Sequence, residues 1–406
     1  MIRLTLLLIR LNCLLILIVG SIAHSPAFVP HSQNRPVTEV PFERAFGGIV
    51  FFSGIVNSTG PFQILLDTGG GGSSVDRDVA NKLGLKTEPG VASVAGNPAL
   101  EVGVIRDATI KVGASQFQAQ LMATPMTSLE PIFGRPLEAI LGGDFMMNYV
   151  VELDFEKQTM RLYEPKSFCY EGHGTALPFS LVQRIPFVDL EISLPNGKSV
   201  RGGFLLDSGG NMVVHIYKQV AEREGLLVGL PKLEEIGHGL GGATKRVAAR
   251  GSLLSLGPYR FPRPVVVFPE DTAGLRTNPT SMGLVGMEVF RRFKITFDYS
   301  RNVMYLEPNQ SLREPFVYDA TGFRLRASRP SFSPPFVSSV TDSSPAREAG
   351  IEPGDVLVEL NGRGMSGVSL EAIREILKQP GKTHKVTLSR GQKVIKTVLR
   401  TREMLN

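Results

Sequence analysis

The sequence predicts a mainly β protein, built of two pseudo-symmetric lobes followed by a separate C-terminal module. Three observations lead there. First, an apolar run, Ile64-Leu65-Leu66, ends in Asp67-Thr68-Gly69-Gly70, and a second, Phe204-Leu205-Leu206, ends in Asp207-Ser208-Gly209-Gly210. Each run is too short for a helix and is bounded by glycine, which reads as a buried strand. Second, the stretches downstream also match. Val79-Ala80 and Gly84-Leu85 return as Val220-Ala221 and Gly225-Leu226, and Ile140-Leu141-Gly142 as Leu284-Val285-Gly286. Leu153-Asp154-Phe155 returns as Phe297-Asp298-Tyr299, so the offset drifts only from 140 at the first Asp to 144 here. A repeat of that length is a domain-sized lobe, because solenoid units run to about 50 residues. Third, the composition changes after Pro330, Pro334 and Pro335.

Taken in order, the chain opens on a positive n-region, Met1-Ile2-Arg3, and an apolar stretch from Leu4 to Val19. The small residues Ser21 and Ala23 then precede His24, so 1–23 reads as a signal peptide. A retained N-terminal anchor is the alternative, although Arg10 interrupts the roughly 20 apolar residues that a spanning helix needs. Residues 24–40, with Pro26, Pro30 and Pro36, read as an extended linker. The formal charge is +6 over 406 residues, with no Lys/Arg block and no tryptophan. That argues against nucleic acid as a partner. Loss of Cys13 with the signal would leave Cys169 as the one cysteine, which excludes an intramolecular disulfide.

The first lobe is expected over 41–166, mostly as strands, with Asn57-Ser58-Thr59-Gly60 as a hairpin turn. Short helices are expected at 78–85 and 144–148. The second lobe, 167–310, repeats this pattern, with its clearest helix at 216–226. Asp154 and Asp298 share a repeat position and read as structural. His215 reads as a polar residue at a strand end.

The paired Asp residues carry the chemistry. Brought together across a pseudo-twofold axis, they cannot both ionise cheaply: like charges at such range repel by about 4 kcal/mol at an effective dielectric near 20. One proton is then shared. The ionised Asp can activate a water while the protonated one polarises a substrate carbonyl. Thr68 and Ser208 can hydrogen-bond across the lobe interface, and Gly69 and Gly209 allow a tight turn with free N–H groups beside the carboxylates. No His-Glu-x-x-His motif is present and the six His are scattered, so neither a metal nor another cofactor is expected.

Asp-Thr/Ser-Gly followed by apolar-apolar-Gly, twice in one chain, resembles the pepsin/retropepsin-like aspartic proteases in their short-lobed bacterial form, over about 40–310. The resemblance implies two acid-protease β-barrel lobes with a cleft between them and Asp67 and Asp207 as the catalytic pair. It also implies that each Asp loop threads near Ile140-Leu141-Gly142 or Leu284-Val285-Gly286. Two departures stand out: a run of four glycines, 69–72, precedes Ser73-Ser74, and no Tyr lies between Asp67 and Tyr149 to mark a flap. Repeat position makes Gly96 and Asn97 in one lobe, and Gly239 and Gly241 in the other, the flap candidates. The second loop also fits Gly-x-Gly-x-x-Gly, but 243–257 reads as strand where a dinucleotide site needs a helix.

The last segment, 312–406, resembles an HtrA-like PDZ domain through Ser344-Pro345-Ala346, Pro353-Gly354-Asp355 and the apolar run ending in Asn361-Gly362. Ser343 or Ser344 ahead of Pro345 reads as the cap of a short helix, and Gly350 as its stop. The resemblance implies a groove for C-terminal peptides, lined by Gly322, Phe323 and Leu325 and by Leu370 and Ile373 of the amphipathic helix at 369–378. The chain as a whole reads as an exported aspartic endopeptidase, acting on peptides or proteins in the bacterial periplasm or outside the cell. It would meet the inner membrane only if its N-terminal segment is retained. The alternative is a catalytically silent peptide-binding scaffold, against which two costly adjacent carboxylates argue.

Overall fold

The computed structural model describes residues 34–94, 97–270, 272 and 281–405. The proposed signal segment and most of the proposed linker lie outside them. Two large sheets repeat one strand order. In the first, Ile49–Val56, Thr59–Leu66, Ala139–Leu141, Ser74–Asp76, Ser115–Thr124, Asn97–Val112 and Glu88–Val94 follow one another across the sheet. In the second the order is Ile185–Ser193, Ser199–Asp207, Gly283–Gly286, Val214–Ile216, Val265–Pro269, Gly242–Arg250 and Lys232–Gly239. The apolar runs ahead of each Asp pair in parallel with the later repeat element, Leu65 with Ile140 and Leu205 with Leu284. Parallel strands covered on both faces need continuous apolar sequence, which explains why these runs do not alternate. Asn57 and Ser58 both adopt positive φ, as a two-residue hairpin turn requires.

The expected helices form, two of them shorter, Arg77–Lys82 and Lys218–Arg223, and one a residue longer, Gly143–Asn148. The side chain of Asp76 caps the first by accepting from the N–H groups of Asp78 and Val79.

A third sheet joins the lobes, and the sequence reading did not contain it. Its order is Thr38–Pro41, Thr159–Tyr163, Val150–Asp154, Phe293–Asp298, Val303–Pro308 and Thr175–Pro178. The lobes meet where Leu153 faces Ile295 and Val151 faces Phe297 across an antiparallel pair. The segment expected to be linker as far as Val40 instead enters the fold at Thr38, which pairs with Leu162. Asp154 and Asp298 sit at matching turns of this sheet. Asp154 accepts from the N–H groups of Glu156 and Lys157, and Asp298 from that of Arg301.

The C-terminal module folds on a sheet ordered Phe323–Arg326, Phe336–Val340, Val356–Leu360, Thr383–Arg390 and Lys393–Arg400, with its own apolar core. Ser344 caps Pro345–Glu348, and Ser369 caps Leu370–Leu377 by accepting from Ala372 N–H. The module is not a loosely tethered appendage. Phe316 ahead of it and Leu405 at its end are both buried in the core of the lobes. Between them lies the guanidinium of Arg250, 4% exposed. It donates to the carbonyl oxygens of Phe316 (2.8 Å) and Leu405 (3.0 Å) and pairs with Glu403. Arg292, fully buried, stacks over the Phe316 ring at 4.0 Å.

Removing the Arg250 side chain would strand two buried carbonyls and one carboxylate. Arg250→Ala should lower unfolding free energy by about 3 kcal/mol, measured by urea titration. A variant as stable as the parent would mean that the two stalk segments are not held in this way.

Candidate active site at the lobe interface

Both Asp residues emerge where a buried strand leaves its sheet. Asp67 follows Thr59–Leu66, and its N–H donates to Leu141 O (2.8 Å), while Asp207 ends Ser199–Asp207. The two strands come from different lobes, and a reciprocal lock holds their ends together. Thr68 N–H donates to Ser208 Oγ (2.8 Å), and Ser208 N–H donates to Thr68 Oγ1 (3.0 Å). Each hydroxyl then donates across the interface, Thr68 to Leu206 O (2.7 Å) and Ser208 to Leu66 O (2.8 Å). All four bonds are buried, where a satisfied hydroxyl rigidifies and an unsatisfied one is costly.

The lock leaves no room beside the carboxylates for any side chain. A Cβ at Gly209 would come within 2.6 Å of the Asp67 carboxyl carbon, and one at Gly69 within 3.0 Å of Asp207 Oδ1. Gly69 N–H donates to Asp67 Oδ1 at 2.8 Å. The loops thread as the resemblance implied. Gly143 N–H donates to Gly70 O (2.7 Å), and Met287 N–H donates to Gly210 O (2.9 Å). A Cβ at Gly142 would lie 2.4 Å from Gly72 O.

The four-glycine run is pinned at its end. Asp144 accepts from both the hydroxyl (2.5 Å) and the N–H (3.1 Å) of Ser73, whose hydroxyl also accepts from Gly142 N–H. Sequence reading missed Asp144, although a signal existed. It follows the first Ile-Leu-Gly repeat as Glu288 follows the second, at the same 144-residue offset.

Both residues keep some solvent exposure, and their carboxyl groups lie side by side: a Cβ at Gly69 would come within 3.0 Å of Asp207 Oδ1 and 3.1 Å of Asp67 Oδ1. Burial pushes both carboxyl groups upward. For Asp67 the N–H groups of Gly69, Gly209 and Gly70 and the neighbouring Asp207 offset part of it. Asp207 is driven well above the usual carboxylate range, by burial first and by the Asp67 charge second. Two neighbouring carboxyls pushed upward in this way titrate as a pair and not as independent groups.

Of the flap candidates, Gly96 lies outside the described residues, and Asn97 opens the strand Asn97–Val112. Gly239 closes the strand Lys232–Gly239, and Gly241 lies in the turn before Gly242–Arg250. Strand, not helix, follows the Gly-x-Gly-x-x-Gly stretch, so the dinucleotide geometry is absent there. Glu235 of this hairpin pairs with Arg246 (2.6 Å) and with Arg324 of the C-terminal module (2.5 Å). Burial pushes the Glu235 carboxyl up, but the two guanidinium groups hold it below its usual range. His215 is buried in Val214–Ile216.

The groove candidates divide. Phe323 and Leu325 line a cavity of about 290 Å³ that also reaches Arg374 of the helix and, on the lobe side, Asn211, Met212 and Glu235. The two Asp residues do not line it. Leu370 and Ile373 belong instead to the module's own core, 1% and 0% exposed, because the helix turns Glu371 and Arg374 outward. Gly322, at φ +76°, packs against Ser344. An amphipathic pattern marks which helix face is apolar, but not whether that face meets a ligand or the core.

Thr68→Ala would leave Leu206 O without its hydroxyl donor and Ser208 N–H without its acceptor. A loss of about 3 kcal/mol is expected, with Thr68→Ser losing roughly 1 kcal/mol for the missing methyl. Thermal denaturation of the pair checks this, and an unchanged melting point for Thr68→Ala would discard the lock as a structural element.

A family model described as an aspartyl protease matches residues 52–145 and again 188–289, so that one match contains Asp67 and the other Asp207. A model of the PDZ domain matches residues 319–389. Among solved structures, a photosystem II D1 C-terminal processing protease is 22% identical, covering 22% of this chain at a TM-score of 0.20. That likeness spans 24% of the other protein's length. A PDZ domain of HtrA3 bound to a phage-derived ligand is 22% identical over 21% of this chain and 86% of its own, at a TM-score of 0.19. An aspartyl protease domain in two segments is thus followed in this chain by a C-terminal PDZ domain.

Proposed function

We propose that the protein is an exported aspartic endopeptidase, in which Asp67 and Asp207 activate a water against a substrate peptide bond. The observation that carries this reading is the pair of carboxyl groups, one from each lobe, so close that a Cβ at Gly69 would lie 3.0 Å from Asp207 Oδ1 and 3.1 Å from Asp67 Oδ1, with both groups pushed upward by burial. The ionised member takes a proton from the water as it attacks the scissile carbonyl carbon. The protonated member donates to the carbonyl oxygen as it gains charge. The lock between Thr68 and Ser208 keeps that geometry fixed, so little reorganisation is needed at the moment of reaction. The PDZ module takes the C-terminal end of a peptide or protein, favouring an apolar last residue, and does no chemistry. An extended peptide adds there as a strand to a sheet edge.

Asp67→Asn or Asp207→Asn should each abolish peptide hydrolysis with the circular dichroism spectrum unchanged, because an amide can neither activate the water nor exchange the proton. A chelator should leave activity intact, and a statine-type mimic should inhibit. Substantial hydrolysis by either variant would remove the pair from the mechanism. The raised carboxyls also carry a sign for stability. A group that binds its proton more tightly when folded loses stability as pH rises through its folded pKa. Asp207→Asn should therefore melt higher than the parent near neutral pH, and the gain should shrink as pH falls into the ordinary carboxylate range. Equal melting points across that span would contradict a raised Asp207.

Export is read from the n-region, the apolar stretch and Ser21-Ile22-Ala23. The exported protein should begin near His24 on N-terminal sequencing. Met1 retained in a membrane fraction would favour the anchor, and Met1 in the cytosol would overturn export.

A further inference from the structure

The PDZ edge that would take a peptide is already in use. In Phe323–Arg326 the main-chain groups alternate in direction. Gly322 O accepts from Thr341 N–H, and Arg324 O accepts from Ser338 Oγ, both on the side of the neighbouring strand Phe336–Val340. Leu325 and Ala327 therefore present their groups to the opposite edge, where Phe323–Arg326 ends the sheet. Ala327 N–H there donates to Pro131 O (3.0 Å), a carbonyl of the first protease lobe. Leu325 O accepts from Arg374 of the groove helix at 2.9 Å.

Side chains seal the same seam. Arg329 holds the buried Glu130 through two bonds of 2.5 and 2.6 Å, and a Cβ at Gly134 would lie 2.6 Å from that of Leu370. On the groove helix, Glu371 accepts from the N–H groups of Phe46 (2.6 Å) and Gly47 (3.2 Å), while the Arg374 guanidinium stacks over the Phe46 ring at 4.5 Å. Arg374 also keeps a buried nitrogen, Nη1, that has no partner. That is a donor left over in a groove built to meet peptide acceptors.

We propose that lobe 1, through Phe46, Gly47 and the Glu130–Phe133 helix, acts as an intramolecular ligand of the PDZ groove. A peptide C-terminus and lobe 1 then compete for the same edge. The inference rests on the PDZ peptide-binding reading and not on the Asp chemistry. The module's stalks, Phe316 and Leu405, are fixed to lobe 2 through Arg250, so capture of a peptide frees lobe 1 while the module stays attached. By linkage, whatever weakens the lobe 1 contacts tightens peptide binding, up to the affinity of the free groove. A groove that is competent only part of the time binds with its affinity reduced by that fraction.

Two changes in lobe 1 leave the groove's own chemistry intact. Phe46→Gly removes the ring at a position of positive φ (44°) that glycine adopts freely. Glu130→Gln breaks the pair with Arg329 while its amide oxygen can still accept from Leu137 N–H. The full chain, the two single variants and the double variant are built on Asp207→Asn, so that hydrolysis cannot intrude. Each is panned against a phage library of random C-terminal heptapeptides. The best binder is then made as a fluorescent peptide, with its C-terminal amide as control, and titrated by anisotropy.

The double variant should bind the free-acid peptide about tenfold or more tighter than the full chain, with the singles between them and the amide weak. Hydrogen exchange at the lobe 1 N–H groups of Phe46 and Gly47 should rise when peptide saturates the full chain. Equal affinity across all four proteins overturns the competition. A library that enriches no C-terminal peptide on the double variant also overturns it, because a freed groove must then bind. If the groove behaves as expected but Asp67→Asn still hydrolyses peptides, the proteolytic mechanism falls and this inference stands.

Discussion

The structure depends on one reciprocal interaction, the exchange of hydrogen bonds between Thr68 and Ser208. Two carboxylates repel, and burial makes each of them costlier to ionise. Nothing in either lobe alone would hold them side by side. The lock does so with neutral groups: each hydroxyl accepts from the opposite backbone and donates back to it, so neither retains an unmet need. The glycines that follow are a consequence of that closeness, since a Cβ at Gly209 would strike the Asp67 carboxyl group.

From the same axis the rest of the protease domain can be derived. The parallel pairing of each Asp strand with Ala139–Leu141 or Gly283–Gly286 places a loop under each carboxylate. The shared sheet then fixes the distance between the lobes through Leu153 and Ile295. The C-terminal module joins this frame at four places: its stalks on Arg250, Arg324 on the hairpin that carries Glu235, the groove helix on Phe46, and Arg329 on Glu130. Each is a charge-assisted or cation–aromatic contact, the kind that orients parts more sharply than apolar packing does.

Much of this was legible in local sequence. The apolar runs, the Asn57-Ser58 turn, the serine cap ahead of Pro345 and the duplicated Asp motifs act over a few residues, and repetition raised weak patterns above chance. What stayed hidden is contact between distant segments of ordinary composition. Thr38–Pro41 has only four residues and follows a Pro-rich stretch, so it read as linker until its partner Thr159–Tyr163 was in place. Glu371 and Phe46 lie 325 residues apart, and no periodicity links them. Leu370 and Ile373 were placed on the right helix but against the wrong neighbour, because apolar patterning is the same for a core face and a binding face.

The sheet between the lobes has a consequence for how the chain is made. Its six strands come from positions 38 to 308, and its middle pair joins Val150–Asp154 to Phe293–Asp298. During synthesis, at roughly 5–20 residues per second, the first lobe is complete while the edge of Val150–Asp154 still lacks its partner. For several seconds the nascent protein therefore displays an open strand rich in valine and leucine, a surface that invites pairing with any neighbouring chain. The second half of the duplication, besides completing the cleft, is the cap that ends this exposure.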